Sequence, residues 1–336
     1  MKVTLKDIAE ETGYSISTVS RVLNGSDKIS NKTTDKIFKT AKRLNYPIFK
    51  NQNGQRVDKT LKIIFAAPEF ALGEFYASLF HGLTRAALKS NIHLSFINLP
   101  LSFKQTLQML REVGNKYYEF YEGMIIYAPE FTHNDYRELV DMLPDDFPIV
   151  SNALIENPVI STISFDGYSG GFLAGEHFLK RKYKKCGIIK GPMEKSEARY
   201  RFNGFRDYIS QNSGIELVWS FDGNFSFRSG MKAFEEFERA EEKPRAIFAS
   251  NDNMAHAFLE EAIYHGYKVP EDVAVIGYDD LPICNRHRPR ISSIHTDYEK
   301  LGIITMEKLK EIIANPTGQE GVLSFVPVTL EARDSS

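Results

Sequence analysis

The sequence predicts two architectures in one chain: a small all-α unit at the amino terminus and an α/β core of two doubly wound parallel-sheet subdomains. Its 336 residues exceed what one ordinary hydrophobic core accommodates. Residues 4–44 carry apolar positions at helical spacing, whereas short β-rich runs alternate with amphipathic stretches from residue 61 onward. Such alternation is typical of parallel α/β sheets.

The first helical segment begins with its own capping signal. Thr4 can cap it through its hydroxyl, and Asp7 can reach back to the backbone of Thr4. Gly13 can take the positive φ that often ends a helix. A second helix is predicted over residues 15–24, and a third follows with Ser30 as its cap. Two short helices joined by so tight a turn indicate a helix-turn-helix.

Basic charge is concentrated at the amino terminus. Residues 1–60 hold twelve Lys and Arg against six Asp and Glu, whereas residues 61–336 hold thirty against thirty-eight. A three-helix unit can also be a protein-binding module, but this distribution is the one expected when only the first unit meets a phosphate backbone. The outward face of the second helix carries hydrogen-bonding side chains suited to that contact, namely Ser17, Ser20, Arg21 and Asn24.

These residues carry a family resemblance. The run TLKDIAEETGYSISTVSRVLN, followed by a third helix ending in LNY, is similar to the headpiece of the lactose/galactose-repressor (LacI/GalR) family of bacterial transcription regulators. In that family the second helix enters the major groove of double-stranded operator DNA. The resemblance implies base contacts from Ile16, Ser17 and Arg21, of which Arg21 can pair bidentately with a guanine. It implies mainly phosphate contacts from Thr4, Ser15, Thr18, Ser20 and Asn24.

Composition and motifs exclude several classes of protein. Only two cysteines are present, the start MKVTLKDIAEE lacks the apolar run of a secretory signal, and no stretch approaches a membrane span. We therefore expect a cytoplasmic protein without membrane contact. No dinucleotide fingerprint, P-loop, HExxH motif or catalytic set emerges, so no cofactor, metal or enzymatic activity is predicted. The histidines, His256 and His287 among them, are expected at helix surfaces or in the core.

The core is expected to consist of two similar halves. In the first half, strands are predicted at 61–67, 92–99, 123–128 and 147–151, with helices around 76–90, 105–118 and 134–143. In the second half, strands are predicted near 185–190, 215–221, 245–250 and 273–278, with helices near 170–182, 198–211, 229–240 and 253–265.

These halves resemble the periplasmic-binding-protein-like core of the same family. Local matches include RYRFNGF at 199–205, SND at 250–252, VPEDVAVIGYDD at 269–280 and SSIHTDYEKLG at 292–302. The resemblance implies chain crossings between the subdomains near 162, 291 and 325. The implied domains are a headpiece at 1–47, a hinge at 48–60, a first subdomain at 61–162 plus 292–325, and a second at 163–291 plus 326–336.

A ligand is expected in the cleft between the halves, at the carboxyl ends of the strands. Charged and amide groups there can bind hydroxyls, and aromatic rings can stack on an apolar ring face. The resemblance to sugar-responsive members implies ligand contacts from the polar residues Arg201, Asn251, Asp252 and Asp279. It also implies pocket positions for Asn152, Phe75, Phe165, Phe225 and Tyr298. Ordinary core packing is the alternative for each aromatic, and a structural salt bridge is the alternative for Arg201 and Asp279.

The segment after Pro47 departs from the family pattern. There the hinge is usually a short Ala-rich helix formed on DNA, with a leucine that wedges into the minor groove. Here Asn53, Gly54 and Gln55 occupy the corresponding positions. We therefore expect a flexible tether and a weakened wedge, with Val57 as the one nearby aliphatic substitute.

Together these observations predict a dimeric, ligand-controlled repressor of genes for sugar uptake or breakdown, with a small sugar in the cleft. A purine-type corepressor and a global carbon regulator controlled by a partner protein are the alternatives. A sugar-processing enzyme with a DNA-binding head is the rival from another class. Because no leucine-heptad tail follows the last strand, we expect a homodimer and not a tetramer.

Overall fold

A computed structural model describes most of the chain, namely residues 3–23, 29–44, 46, 60–68, 74–100, 102–144, 147–315 and 321–336. Asn24 and nearly all of the predicted hinge, residues 53–57 included, lie outside these ranges. The chain divides into two compact units, one of residues 1–61 with 91–93 and one of the remainder. No helix within the described ranges is long and apolar enough to cross a membrane.

The amino-terminal unit contains three helices: α1 (Leu5–Thr12), α2 (Ile16–Leu23) and α3 (Asn31–Arg43). The predicted capping box is confirmed, because the Thr4 backbone N–H donates to the Asp7 carboxylate at 2.7 Å and the Asp7 N–H donates to the Thr4 hydroxyl. Gly13 ends α1 at φ 75°. Ile8, Ala9, Val19, Val22, Leu23, Ile37, Phe38 and Ala41 form the buried core of the unit. The helix-turn-helix prediction is therefore confirmed.

The core alternates strands and helices along the chain, as predicted. Its strands are β1 (Leu61–Pro68), β2 (Ile92–Leu99), β3 (Gly123–Ile126), β4 (Ile149–Ser151), β5 (Ser161–Phe165), β6 (Lys185–Lys190), β7 (Glu216–Asp222), β8 (Ala246–Ala249), β9 (Ala274–Asp279), β10 (Ser292–His295), β11 (Leu323–Val326) and β12 (Thr329–Glu331). Its helices are α4 (Glu74–Lys89), α5 (Phe103–Phe120), α6 (His133–Met142), α7 (Gly167–Lys180), α8 (Ser196–Gln211), α9 (Phe227–Arg239), α10 (Asp252–Tyr264) and α11 (Tyr298–Ala314).

Two six-stranded sheets organise these elements within the described residues. The order is β11-β5-β4-β3-β1-β2 in the first sheet and β12-β10-β9-β8-β6-β7 in the second. The registered pairs are parallel except for β10 with β12, which are antiparallel. Strands such as β3 and β8 are buried throughout, which parallel sheets covered by helices on both faces require. The predicted fold class is confirmed.

Two predicted boundaries differ from the structure. The boundary at 162 would divide β5, but Ser161–Phe165 belongs wholly to the first sheet, where it pairs with β4 and β11. The boundary at 291 would place β10 in the first subdomain, but Ser292–His295 pairs with Ile276–Asp279 of β9 in the second sheet. The buried hydroxyls explain this placement, because Ser293 donates to the Asp252 carboxylate at 2.6 Å inside the second lobe. The chain therefore changes lobes after His295. It then enters α11, whose Gly302 allows backbone contact with Leu79 of α4 in the first lobe.

Candidate functional site

Helix α2 presents a polar face opposite its buried side. Val19, Val22 and Leu23 are buried in the headpiece core, whereas Ile16, Ser17 and Arg21 are exposed. Of the residues predicted to contact phosphates, Thr4 and Ser15 are exposed, Thr18 and Ser20 are half-buried, and Asn24 lies outside the described residues. The Ser15 hydroxyl accepts the Thr18 backbone N–H at 3.1 Å and thereby caps α2. The predicted base-contacting side chains thus share one accessible face.

A cavity of about 50 Å³ lies in the core between the two lobes. Its lining residues are Phe75, Leu79, Tyr127, Asn152, Leu154, Ser164, Phe165, Gly167, Glu197, Arg201, Tyr278, Tyr298 and Leu301. Five of the nine predicted ligand residues are among them. A sixth, Asp279, reaches the lining residues Arg201 and Tyr298 through its carboxylate.

Arg201 supplies a buried positive charge at this cavity. Its Nη1 donates to the Ser250 carbonyl at 2.6 Å, and its guanidinium lies 3.7 Å from the centroid of the Tyr278 ring. Burial works against the charged form, but the Asp279 carboxylate favours it, and the net effect raises the pKa of Arg201. Close backbone packing positions α8 for this role, because a side chain at Gly171 of α7 would collide with the Arg201 carbonyl.

Asp279 supplies the opposing negative charge from the end of β9. Its Oδ1 accepts the Tyr298 hydroxyl at 3.1 Å and lies 3.4 Å from Arg201 Nη2. Burial raises the pKa of Asp279, whereas the charge of Arg201 and the hydrogen bond from Tyr298 lower it. The effect of burial is the larger one, so the pKa of Asp279 is raised overall. The residue also has φ of 108°, a conformation costing roughly 1–3 kcal/mol that persists only where the surroundings impose it. The backbone at this strand end is therefore strained where its carboxylate meets the cavity.

Three predicted aromatic residues meet around the cavity. The Tyr298 ring lies 5.2 Å from Phe75 and 4.9 Å from Phe165, at interplanar angles of 38° and 82°. Tyr127, which the sequence analysis did not single out, lies 6.2 Å from Phe75. Together these rings form an apolar wall facing the Arg201 and Asp279 pair, an arrangement that suits a ligand with both hydroxyls and an apolar face.

Asn152 brings an unsatisfied acceptor to the cavity. Its Nδ2 donates to the Thr305 hydroxyl at 2.7 Å and to the Ile163 carbonyl at 3.2 Å. Its buried Oδ1 has no hydrogen-bond partner among the described residues. Since buried polar atoms are nearly always paired, an unpaired acceptor at a cavity indicates a place for a ligand donor.

Besides Asp279, three predicted ligand residues lie outside the cavity lining, namely Phe225, Asn251 and Asp252. Asp252 is fully buried, and its carboxylate accepts the Leu281 N–H at 2.7 Å and the Ser293 hydroxyl at 2.6 Å. Burial, followed by the nearby Asp279, raises the pKa of Asp252. Asn251 caps α10 and donates to the Phe225 carbonyl at 2.8 Å. The side chains of Asn251 and Asp252 are therefore hydrogen-bonded to neighbouring groups in the second lobe and do not line the cavity.

Sequence reasoning missed Tyr127, Glu197 and Tyr278, which all line the cavity. Tyr127 immediately follows β3, so the strand-end rule alone could have identified it. Glu197 lies in the first turn of α8, and its carboxylate accepts the Leu154 N–H from the opposite lobe at 3.0 Å. No sequence signal marks that contact, because it depends on how the two lobes meet.

A second, larger cavity of about 350 Å³ lies beside the first, and ion pairs join the lobes around it. Lys195 of the second lobe lies 2.6 Å from Glu130 of the first, and Arg199 lies 2.8 Å from Glu156. All four residues line this cavity. The pairs therefore connect the two lobes in the arrangement that the structure shows.

Two histidines that are far apart in the sequence lie together in the second lobe. His256 Nε2 is 2.5 Å from His287 Nε2 and 3.3 Å from Glu260 Oε1. The pairing escaped spacing rules because 31 residues separate the two histidines. His256 is a buried helix residue, as expected, but its contact with His287 was not predicted.

Comparisons with known proteins agree with this architecture. Residues 4–47 match the model of bacterial regulatory proteins of the lacI family, and residues 176–336 match a periplasmic binding protein-like domain. The HTH-type transcriptional repressor PurR of Photobacterium profundum is 27% identical over 96% of each chain. The ribose operon repressor of Escherichia coli (strain K12) is 26% identical over 98% of each chain. The lac repressor dimer bound to operator and the anti-inducer ONPF has the same fold, with a TM-score of 0.71, 24% identity, and coverage of 100% of this chain and 99% of that one.

Proposed function

This chain belongs to the lacI family of bacterial regulatory proteins and is a DNA-binding transcriptional regulator, and we propose that it represses genes for sugar uptake or breakdown under the control of a small sugar. The headpiece would bind double-stranded operator DNA through α2, with Ile16, Ser17 and Arg21 at base edges. The other predicted headpiece contacts would bind phosphates. The proposed ligand site is the cavity between the lobes.

The observation that carries the sugar assignment is the buried Arg201 and Asp279 pair opposite the aromatic wall. A sugar hydroxyl can donate to a carboxylate while accepting from a guanidinium, and the unpaired Asn152 Oδ1 offers a further acceptor. The C–H face of a pyranose or furanose can pack on the Phe75, Phe165 and Tyr298 rings. Asp279 and Arg201 are 3.4 Å apart, so a ligand group could replace this long contact with shorter ones.

Control would come from the closure of the two lobes. At about 50 Å³ the cavity is far smaller than the roughly 300–1,000 Å³ typical of ligand pockets, so binding requires a wider arrangement of the lobes. A sugar that prefers one arrangement shifts the population toward it. The operator affinity would then change by the coupling free energy, about 1–3 kcal/mol in typical cases.

A homodimer in the cytoplasm fits this role. Large apolar side chains are exposed on both lobes, including Leu88 of α4 at 79% and Tyr264 of α10 at 84%. Exposed apolar side chains are found where subunits associate, and the lac repressor structure is a dimer. A repressor must meet chromosomal DNA, and the similar proteins named above are repressors. The role proposed for this chain is therefore binding and not catalysis.

A purine corepressor is the second candidate. The similarity to PurR favours it, and planar bases can also stack on the aromatic wall. The polar side of the cavity distinguishes the two ligands, since a purine has fewer hydroxyl-like donors for Asp279 and Asn152 than a sugar has. A direct comparison of the two ligand classes therefore decides the matter.

Thermal-shift and calorimetric titrations of the full chain provide that comparison. The panel contains mono- and disaccharides, adenine, guanine and hypoxanthine. A sugar at 100 times its Kd should stabilise the fold by about 2.7 kcal/mol. Asp279→Asn should abolish this effect, whereas Asp207→Asn on the exposed face of α8 should retain it. Stabilisation by purines alone would replace the sugar with the second candidate.

A further inference from the structure

The His256, Glu260 and His287 cluster lies in the second lobe and plays no part in the proposed ligand cavity. Its ligand atoms all lie within 4.8 Å of one another. His256 and Glu260 are one turn apart on α10, and His287 belongs to the segment between the short 3₁₀ helix Pro282–Asn285 and β10. The fold thus brings two imidazoles and one carboxylate to a single point.

A hydrogen bond between the histidines does not account for all three groups. His256 Nε2 faces both His287 Nε2, at 2.5 Å, and Glu260 Oε1, at 3.3 Å. A neutral imidazole carries one N–H, so His256 Nε2 can donate to only one of these acceptors. Three electron-pair donors converging on one point are the usual surroundings of a cation. Two imidazoles and a carboxylate, with a fourth position open to water, form a known ligand set for Zn²⁺.

Two of the three separations are close to those of a tetrahedral zinc site, and the third, from Glu260 to His287, is within 4.8 Å. With metal–ligand bonds of about 2.0–2.1 Å, neighbouring ligand atoms of a tetrahedral ion are about 3.3–3.4 Å apart. The His256 to Glu260 distance already has this value, and the His256 to His287 distance requires an increase of less than about 1 Å. His287 is half-buried and lies in an irregular segment, so a small rotation of its side chain can supply that increase.

The surroundings keep His256 suitable as a ligand. The residue is only 8% exposed, and the Phe227 ring lies 5.4 Å from its imidazole. Its imidazole is therefore shielded from bulk water and held against a packed ring.

We propose that His256, Glu260 and His287 bind a divalent transition-metal ion of the zinc class. The ion would join α10 to the segment that precedes β10. The same helix already holds Leu281 through Asp252, so the ion would fix the other end of the segment that runs from Leu281 to His287. The expected consequence is a more stable second lobe, whether or not DNA or sugar is present.

Titration of the chelator-treated full chain with ZnCl₂ or CoCl₂ tests this site. We expect one high-affinity equivalent, a rise in Tm, and for Co²⁺ the visible absorption of a tetrahedral complex, whereas MgCl₂ should have no effect. His287→Ala should weaken the affinity at least tenfold, since even outer groups of metal sites contribute about 10–100-fold. The matched control is His265→Ala, at the end of the same helix, which should retain wild-type affinity.

Glu260→Gln controls for misfolding of the variant, because the side chain of Glu260 is 45% exposed and the nearly isosteric change should leave the metal-free Tm unchanged. This variant should also lose at least tenfold in Zn²⁺ affinity. Wild-type affinity in both His287→Ala and Glu260→Gln would overturn the proposal. So would the absence of Zn²⁺ and Co²⁺ binding by the wild-type chain.

Discussion

Replacing Arg201 with alanine should expose the energetic role of the buried charge pair. The Arg201 side chain is only 11% exposed and that of Asp279 13%, so the variant leaves a carboxylate in a poorly solvated site. The Tyr298 hydroxyl remains as its partner at 3.1 Å. The Ser250 carbonyl loses its donor as well, and Tyr278 loses the stacked guanidinium.

The magnitude follows from these losses. Removing one member of a buried ion pair costs about 3–5 kcal/mol because the other charge is left uncompensated. We place Arg201→Ala at the lower end, about 3 kcal/mol, since the 3.4 Å contact is long and Tyr298 still donates to Asp279. The matched control is Arg206→Ala on the same helix, whose exposed pair with Asp207 should contribute less than about 1 kcal/mol.

The effect should also depend on pH in a defined direction. Burial raises the pKa of Asp279 even beside Arg201, and removing the cation raises it further. When the pKa of a carboxyl group is higher in the folded state than in the unfolded state, ionisation of the group destabilises the protein at pH values above the folded-state pKa. This loss of stability shrinks as the pH falls toward the unfolded-state pKa. The deficit of Arg201→Ala relative to wild type should therefore be smaller at pH 5 than at pH 7.

Urea unfolding at both pH values, followed by circular dichroism, measures these quantities. Equal losses for Arg201→Ala and Arg206→Ala would refute the reasoning that burial gives the first pair its importance. A deficit that grows between pH 7 and pH 5 would refute the assignment of the buried charge to Asp279.

Three further substitutions test other parts of the molecule. Arg21→Ala should weaken binding to specific operator DNA by roughly 1–3 kcal/mol and leave the affinity for random DNA unchanged, because it removes a base contact. Equal losses of affinity for both DNAs in an electrophoretic shift series would show that Arg21 contacts a phosphate. Glu156→Gln should loosen the contact between the lobes, because it breaks the partly exposed ion pair with Arg199. The radius of gyration from small-angle scattering should then exceed that of the wild type at low salt but not at 1 M salt, where the pair is already screened. The same radius for variant and wild type at both salt concentrations would show that this pair does not control closure. Gly54→Ala combined with Gln55→Leu should tighten operator binding and increase DNA bending, since glycine costs about 1 kcal/mol in a helix and leucine restores an apolar wedge. Fluorescence energy transfer between dyes at the two operator ends measures the bend. A strong bend with the wild-type protein that the double substitution does not increase would show that another residue supplies the wedge.

Sequence patterns were sufficient where local chemistry determines structure. The capping box of Thr4 and Asp7 and the turn at Gly13 were predictable because each depends on neighbours within a few residues. The alternation of buried strands and amphipathic helices likewise predicted the two parallel-sheet halves, although β5, β10, β11 and β12 were not predicted as strands. Arg201 and Tyr298 were placed at the cavity because the resemblance marked them and the structure puts both in its lining.

What escaped prediction depends on contacts between distant segments. Glu197 reaches Leu154 only because the lobes meet there, and His256 meets His287 only because an irregular segment turns back over α10. Asp252 carries the right chemical group at a strand end, but helix geometry directs its carboxylate to Leu281 and Ser293 and away from the cavity. Composition and spacing carry no information on such choices.

The most direct test of the central claim is the operator affinity of the full chain with and without ligand. Fluorescence anisotropy of labelled operator DNA, measured across the sugar and purine panel, should reveal a sugar that changes Kd by about 5–150-fold, corresponding to 1–3 kcal/mol of coupling. Asp279→Asn should bind the operator normally and lose that response. A sugar that binds the cavity yet leaves the operator Kd unchanged would contradict sugar-controlled DNA binding.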